Sequence, residues 1–135
     1  MSYIADLKMG EDEEKRVLEI LRNKFDSNIE QTKFKYAVFD YSSDNCLIEL
    51  KTRRCNHDTY PDTMVGENKL AFAKTSKKDI YFVFSFTDGL YYWKYNDEDI
   101  VNDLVKIREG GRCDRGSREF KSYAFIQNKL LEKVL

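Results

Sequence analysis

Asp40, Glu49 and Lys51 are the residues whose types and spacing could carry out chemistry together. Two carboxylates held close together repel each other unless a cation lies between them, one is protonated or both are solvated. Mg²⁺ takes such oxygen ligands and keeps several of its waters. A lysine beside that ion could hold a water or stabilise a phosphate oxygen. The trio therefore indicates metal-assisted hydrolysis of a phosphodiester.

These three residues fall on a segment with the pattern of a β-hairpin. Residues 34–41 and 46–51 are rich in aromatic and β-branched side chains, and Ser, Asp and Asn between them favour a turn. A two-residue turn at 44–45 places Asp40 directly opposite Glu49, with Lys51 on the same face. The opposite face is predicted to cover the core through Ala37, Phe39, Tyr41, Ile48, Leu50 and Thr52.

The remaining elements follow from hydrophobic period and turn chemistry. Apolar residues at helical spacing predict a helix over roughly 11–25, with the acidic run 11–14 in its first turn. A helix over 97–109 is predicted to begin at Asn96 or Asp97 and to stop at two glycines. We further predict a polar loop over 53–63, a helix over 64–75, strands over 80–86, 90–95 and about 119–126, and a short closing helix up to Leu135. This order describes one mixed α/β domain over 1–135.

The spacing of the chemical residues matches a known signature. Asp40, eight intervening residues and then Glu49-Leu50-Lys51 resemble the D…ExK motif of the PD-(D/E)XK nuclease superfamily. Glu14, on the predicted first helix, resembles the acidic residue that many members contribute from that helix. The order of helix, hairpin, helix and strand over about 10–86 is also similar. Phe39 departs from the pattern, because a proline precedes the aspartate in the family's name.

The resemblance implies a fold and a set of roles. The fold is a restriction-endonuclease-like α/β core, a central mixed β-sheet of four to five strands flanked by α-helices. Asp40 and Glu49 would bind Mg²⁺, for which Mn²⁺ can substitute, and the carbonyl of Leu50 would add a ligand. Lys51 would assist the attacking water, and Glu14 would join the catalytic set. If Glu14 faces elsewhere, Glu13 or Glu11 is the alternative.

Basic residues outside the motif are candidates for contacts with nucleic acid. Arg53 shares a face with Lys51 by strand alternation, and Lys69 lies on the helix predicted after the hairpin. A glycine-rich segment near the C-terminus offers three arginines that could bind phosphates, Arg112, Arg115 and Arg118. The expected activity is that of an endonuclease or exonuclease acting on DNA rather than RNA. The alternative is a weak or inactive nuclease-fold module that binds nucleic acid or a nucleoprotein partner.

Composition limits the other function classes. The 135 residues carry a net charge of −1, so any contact with a polyanion must be concentrated on one face. No apolar run approaches the ~20 residues needed to cross a bilayer, and no secretory pattern opens the chain, so we expect no membrane partner and an intracellular location, in the cytoplasm or in a host cell. Three cysteines without CxxC spacing favour reduced thiols. A homodimer, with the aromatic strand near Trp93 as its candidate surface, is left open.

Overall fold

The computed structural model describes residues 3–32, 38–111 and 120–134, and their side chains over 13–32, 38–109 and 122–134. Nine strands and three α-helices form within these ranges. In chain order they are α1 (Tyr3–Lys24), β1 (Glu30–Gln31), β2 (Tyr41–Ser42), β3 (Cys46–Thr52), β4 (Asp62–Gly66), α2 (Glu67–Thr75), β5 (Asp79–Phe86), β6 (Gly89–Lys94), α3 (Asp97–Val101), β7 (Val105–Gly111), β8 (Phe120–Gln127), a 3₁₀ turn (Asn128–Leu130) and β9 (Glu132–Lys133).

Two sheets organise these strands. The larger sheet has six strands in the order β1-β2-β3-β5-β6-β9, and the smaller has three in the order β4-β8-β7. β3 and β5 pair in parallel over seven residue pairs, whereas the other pairs of the larger sheet are antiparallel. The larger sheet is therefore mixed, as expected, with one strand more than the upper expected count.

The larger sheet is covered on both faces, and each face has its own hydrophobic cluster. On one face α1 packs against the sheet through Val17 and Leu21, which join Tyr41, Ile48 and Val83. The other face packs against α2 and the smaller sheet, and its cluster includes Phe39, Val65, Leu70, Phe82, Phe84, Trp93 and Ile126. β5 contributes to both clusters because alternate side chains point to opposite faces, which accounts for its long apolar run. The mixed α/β class with helices flanking a mixed sheet is confirmed.

The β2–β3 hairpin has the register that a two-residue turn predicts. Tyr41 lies opposite Ile48, and the Ser43 amide donates to the Cys46 carbonyl at 2.9 Å. The regular pairing ends at Tyr41, however, and residues 38–40 form a bend rather than a strand. Phe39 consequently packs on the α2 face instead of beside Tyr41, so its predicted position was wrong. Residues 34–37 of the predicted strand lie outside the described residues.

Two predicted helices differ in extent from the observed elements. α1 begins eight residues before the predicted start, so the acidic run lies within the helix rather than in its first turn. Of the predicted helix 97–109 only Asp97–Val101 is helical, with Asn96 accepting from the Glu98 amide as its N-cap. Asp103 has a positive φ of 59°, which ends the helix, and the residues after it pair with β8.

The other differences concern short strands. β4 occupies the end of the predicted polar loop and the start of the predicted helix 64–75, so α2 begins only at Glu67. The predicted closing helix is a 3₁₀ turn followed by β9, because Glu132 and Lys133 add a short strand beside β6. No helix of the described ranges is long and apolar enough to cross a membrane.

Candidate nuclease active site

Glu49 is a buried carboxylate in the middle of the larger sheet. It lies on β3 and is only 6% exposed, with Leu47 on the same strand face packing against the α2-side cluster. Its neighbour on β5 is Phe82, which is fully buried. A charged group in such surroundings is costly unless partners compensate for the lost water. Glu49 is therefore the residue of the motif whose position most needs a physical explanation.

Two lysines supply part of that compensation. Lys51 Nζ lies 3.5 Å from Glu49 Oε1, and Lys69 Nζ lies 3.1 Å from Glu49 Oε2. Lys69 comes from α2, where its ammonium also donates to the Val38 carbonyl and lies 5.2 Å from the centroid of the Phe39 ring. The Lys69–Glu49 distance is that of an ion pair, yet Oε2 is fully buried and accepts no well-oriented hydrogen bond from the described residues. Oε2 of Glu49 is thus paired with an ammonium group but lacks a well-oriented hydrogen bond within the described residues.

Asp40 is placed by the bend that ends the hairpin ladder. Its amide donates to the Ile48 carbonyl at 3.0 Å, and its carboxylate Oδ2 accepts from the Leu50 amide at 2.8 Å. The N–H and C=O of one strand residue point to the same side, so the Leu50 carbonyl faces the side on which Asp40 lies. The predicted direct opposition of Asp40 and Glu49 is replaced by this closer attachment of Asp40 to Leu50.

Thr32 holds the bend from the preceding segment. Its hydroxyl donates to the carbonyls of Phe39 and Asp40, at 2.6 and 2.9 Å, and its amide donates to the Asp40 carbonyl at 2.9 Å. Sequence reasoning missed this residue, because nothing in the residue pattern ties a lone threonine to a segment further along the chain. Its part is to position Asp40 rather than to contact a reacting group.

The Asp40 and Glu49 carboxylates are close enough for the charge of Asp40 to affect the pKa of Glu49. Burial raises the pKa of Glu49 above its ordinary value, and the charge of Asp40 raises it further. The nearby ammonium groups of Lys69 and Lys51 act in the opposite direction without cancelling the rise. A shared cation would relieve the repulsion between the carboxylates and favour the ionised form of Glu49.

Glu14 and Glu13 point in different directions from α1. Glu14 is exposed, and its carboxylate accepts from Gln31 Nε2 at 2.5 Å. Tyr41, whose hydroxyl donates to the Glu14 carbonyl at 3.0 Å, has its pKa raised first by burial and then by Glu14 and Asp40. Glu13 instead pairs with Arg16 and accepts from the Ser85 hydroxyl at 3.1 Å. Gln31 thus ties Glu14 to the segment of Thr32, which positions Asp40.

The donor set fits a divalent cation. A buried carboxylate oxygen without a hydrogen bond, a second carboxylate that interacts with it and a backbone carbonyl on the same side are the hard oxygen ligands that Mg²⁺ takes. These groups belong to Glu49, Asp40 and Leu50, on adjoining parts of β3 and the bend. The residues present are therefore suited to hold such an ion.

The basic residues predicted to contact nucleic acid are only partly brought to this site. Arg53 continues the row of Glu49 and Lys51 along β3, and its Nη2 donates to the Met64 carbonyl at 2.6 Å. Lys69 contacts Glu49 directly, which makes it part of the carboxylate cluster. Arg112, Arg115 and Arg118 lie outside the described residues.

A second group of potential ligands lies away from the motif. Ligand atoms of His57, Asp58 and Asp88 all lie within 4.8 Å of one another. His57 Nδ1 lies 2.5 Å from Asp88 Oδ2, and the imidazole stacks on the Tyr91 ring at 4.3 Å. The contacts of the His57 imidazole and amide with the Asp88 carboxylate tie the loop after β3 to the β5–β6 turn, a structural role that the lone histidine did not indicate from sequence.

The mixed sheet between helices, with a D…ExK cluster at the end of a hairpin, defines a protein of the PD-(D/E)XK superfamily. The chain belongs to the family described as "phage putative PDDEXK endonuclease", whose model matches residues 4–132. No curated protein is significantly similar to it. Membership in this family supports a nuclease-type hydrolase and, with it, nucleic acid as a partner.

Proposed function

We propose that the protein is a Mg²⁺-dependent nuclease that hydrolyses phosphodiester bonds in DNA, with 1–135 folding as a single nuclease-like domain. The observation that carries this proposal is the buried Oε2 of Glu49, which accepts no hydrogen bond from the described residues although Asp40 interacts with the same carboxylate. A protein without a metal would gain stability by losing one of two repelling carboxylates. The family match supports the same conclusion.

In this proposal the chain's own residues hold the ion and the reactants. Asp40, Glu49 and the Leu50 carbonyl would hold Mg²⁺ or Mn²⁺, and a cation there would polarise a phosphate oxygen and lower the pKa of water. The Lys51 ammonium, beside Glu49 Oε1, would orient the attacking water or stabilise developing charge on the phosphate. Glu14, held by Gln31, would add negative charge from the helix side.

The proposed contacts with nucleic acid follow the same strand. Arg53 follows Lys51 by two residues, and its guanidinium, held by the Met64 carbonyl, would contact a phosphate next to the one being cut. Lys69 would exchange its contact with Glu49 for one with the substrate once a cation is bound. Arg112, Arg115 and Arg118 remain candidates for contacts with the strand, from outside the described residues.

One observation favours a second candidate, a nuclease-fold module that binds nucleic acid without cutting it. The ion pair of Lys69 with Glu49 compensates part of the carboxylate charge through the chain's own residues. If a metal ion cannot displace the Lys69 ammonium from Glu49, the site does not catalyse cleavage, and Lys51 and Arg53 only bind nucleic acid. A cleavage assay separates the two candidates directly.

The test is cleavage of labelled DNA and RNA, single-stranded and duplex, with Mg²⁺, with Mn²⁺ and with a chelator. Wild type runs beside Glu49→Gln, Lys51→Ala and, as a matched control, Lys74→Ala, an exposed lysine on α2. We expect metal-dependent cutting of DNA that is lost in the first two variants and kept in the third. Absence of cutting by wild type, with nucleic-acid binding intact in every variant, would establish the binding module instead.

A further inference from the structure

A cavity lies beyond Glu49 and Lys51 in the direction in which β3 runs. Its volume is about 310 Å³, and its lining includes Arg53, Tyr60, Phe86 and Phe125. The Arg53 amide donates to the Ser85 carbonyl at 2.9 Å, so the direction of β3 continues through Arg53 into this cavity. Four residues at about 3.3 Å each separate Glu49 from Arg53 by about 13 Å. The cavity is therefore within a few nucleotides of a phosphate held at Glu49.

The lining combines aromatic rings with polar groups. Phe86 is buried at the end of β5 and Phe125 faces the cavity from β8, where the Arg108 guanidinium lies 5.4 Å from the centroid of its ring. Asn56, Asp62 and Thr63 add hydrogen-bonding atoms to the same wall. Rings that stack and groups that can bond the edge of a base are the features by which proteins hold unpaired bases.

Tyr60 is the exposed ring at this cavity. It is 63% exposed, yet the backbone around it is fixed, because the Asn128 amide donates to the Pro61 carbonyl at 3.0 Å and the Asn128 side chain donates to the Tyr60 carbonyl. An aromatic side chain held in solvent on an anchored backbone gains no stability from the fold. It gains contact area when a flat ligand stacks on it.

We propose that this cavity binds a single unpaired nucleobase of the substrate, stacked on Tyr60, and so directs the nuclease to strands with an unstacked base near the cut. The inference rests on the proposed nuclease function and names its substrate class. The volume is at the lower end of the roughly 300–1,000 Å³ of small-ligand pockets, which suits one base. Arg53, between the cavity and Lys51, is placed to contact the phosphate that joins the bound base to the cleaved nucleotide.

The experiment measures binding with the full chain carrying Glu49→Gln, so that no substrate is consumed. The probes are single-stranded DNA with 2-aminopurine near the centre and the matched duplex. Tyr60→Ala is compared with Tyr60→Trp, which keeps a stacking ring, and with Val101→Ala, an exposed apolar residue on α3. Equal melting temperatures of the variants establish that the exposed substitutions leave the fold intact.

We expect Tyr60→Ala to weaken single-strand binding by at least about fivefold and to abolish the fluorescence quenching of 2-aminopurine. Duplex binding should change by less than about twofold, and Tyr60→Trp and Val101→Ala should bind as their parent does. Unchanged single-strand binding in Tyr60→Ala, or equal losses for single strand and duplex, would overturn the inference. Cleavage by wild type, measured in parallel, shows separately whether the proposed nuclease function holds.

Discussion

At the scale of single residues, the proposed chemistry depends on Glu49 and the two lysines beside it. Ammonium groups on two elements favour the ionised form of this buried carboxylate, although burial and Asp40 raise its pKa: Lys51 lies two residues along the same strand, and Lys69 lies on α2. The D…ExK pattern pointed to Lys51, and Lys69 was expected only to contact nucleic acid. The ion pair of Lys69 with Glu49 depends on how α2 packs on the sheet, and the spacing of residues in the sequence does not predict that packing.

Removing the Lys69 ammonium should lower the free energy of unfolding, because the buried Glu49 carboxylate then loses a compensating charge. We expect Lys69→Met to lower the metal-free stability by about 1–3 kcal/mol, because Glu49 loses a compensating charge in a buried site. Added Mg²⁺ or Mn²⁺ should then raise the melting temperature more than in wild type, since the ion no longer competes with an ammonium. Thermal unfolding with and without metal measures both effects, and Lys74→Met is the control. Equal behaviour of the two variants would contradict the ion pair's importance.

The choice between the two glutamates of α1 can be made by substitution. We expect Glu14→Gln to lower metal-dependent cleavage by about 10–100-fold, because Gln31 holds the Glu14 carboxylate beside Thr32, the residue that positions Asp40. Glu13→Gln should have a much smaller effect, since Glu13 is engaged by Arg16 and Ser85. Initial cleavage rates measure the difference. The reverse order of effects would assign the helix carboxylate to Glu13.

At the scale of elements, the decisive feature is the bend at residues 38–40. Strict alternation along an ideal hairpin placed Phe39 with Tyr41 and Asp40 opposite Glu49. In the structure the ladder ends at Tyr41, Phe39 packs against Phe72 and Phe82, and Asp40 is fastened to the Leu50 amide. The bend depends on bonds from Thr32, so a pattern within the hairpin alone could not predict it.

The junction of α1 with the hairpin turn predicts a pH dependence. The Asp26 carboxylate accepts from the Asn28 amide at 3.0 Å, from the Ser43 hydroxyl at 2.7 Å and from the Asn45 side chain at 3.1 Å, and these bonds hold its pKa below the ordinary value. A depressed folded-state pKa stabilises the fold above the unfolded pKa of about 3.9, and this stabilisation is lost as the pH falls through the folded pKa.

We therefore expect Asp26→Asn to lower the melting temperature near neutral pH and to reduce its fall in acid. Melting temperatures recorded between about pH 2 and pH 7 test this, with Asp44→Asn, an exposed residue of the same turn, as the control. If both variants keep the wild-type slope in acid, the link between helix and turn does not depend on the Asp26 charge.

At the scale of the whole molecule, the charge balance limits how nucleic acid can be held. A chain with a net charge of −1 has no general attraction for a polyanion, so the proposed binding depends on local basic residues such as Lys51 and Arg53, and on the proposed cation. Hydrophobic clusters cover both faces of the larger sheet. Lys51 and Arg53 lie at the C-terminal end of β3, where Arg53 contacts β4 of the smaller sheet.

The salt dependence of DNA binding should therefore reflect a small number of contacts between basic side chains and phosphates. We expect Arg53→Met to reduce the slope of log binding constant against log salt by about 0.9, the value for one phosphate contact. Arg16→Met, on the opposite face and paired with Glu13, should leave the slope unchanged. Titrations of duplex DNA over a range of salt concentrations provide the measurement. A slope unchanged by the loss of Arg53 would place the phosphate contacts elsewhere.

Residue order alone was enough for the mixed α/β class, the tight turn of the hairpin, its register at Tyr41 and Ile48, and the D…ExK spacing. These features can be predicted from the periodicity of hydrophobic residues and from turn residues within windows of about twenty residues. Packing between distant segments decided the rest. The strands after Val101 form because the residues around Val105 find partners in β8. Glu49 is buried beside Phe82 of β5 and pairs with Lys69 of α2, and the bend that attaches Asp40 to Leu50 is held by Thr32 from the preceding segment. Contacts of that kind have no signal in local sequence, because their energy exists only once the layers have assembled.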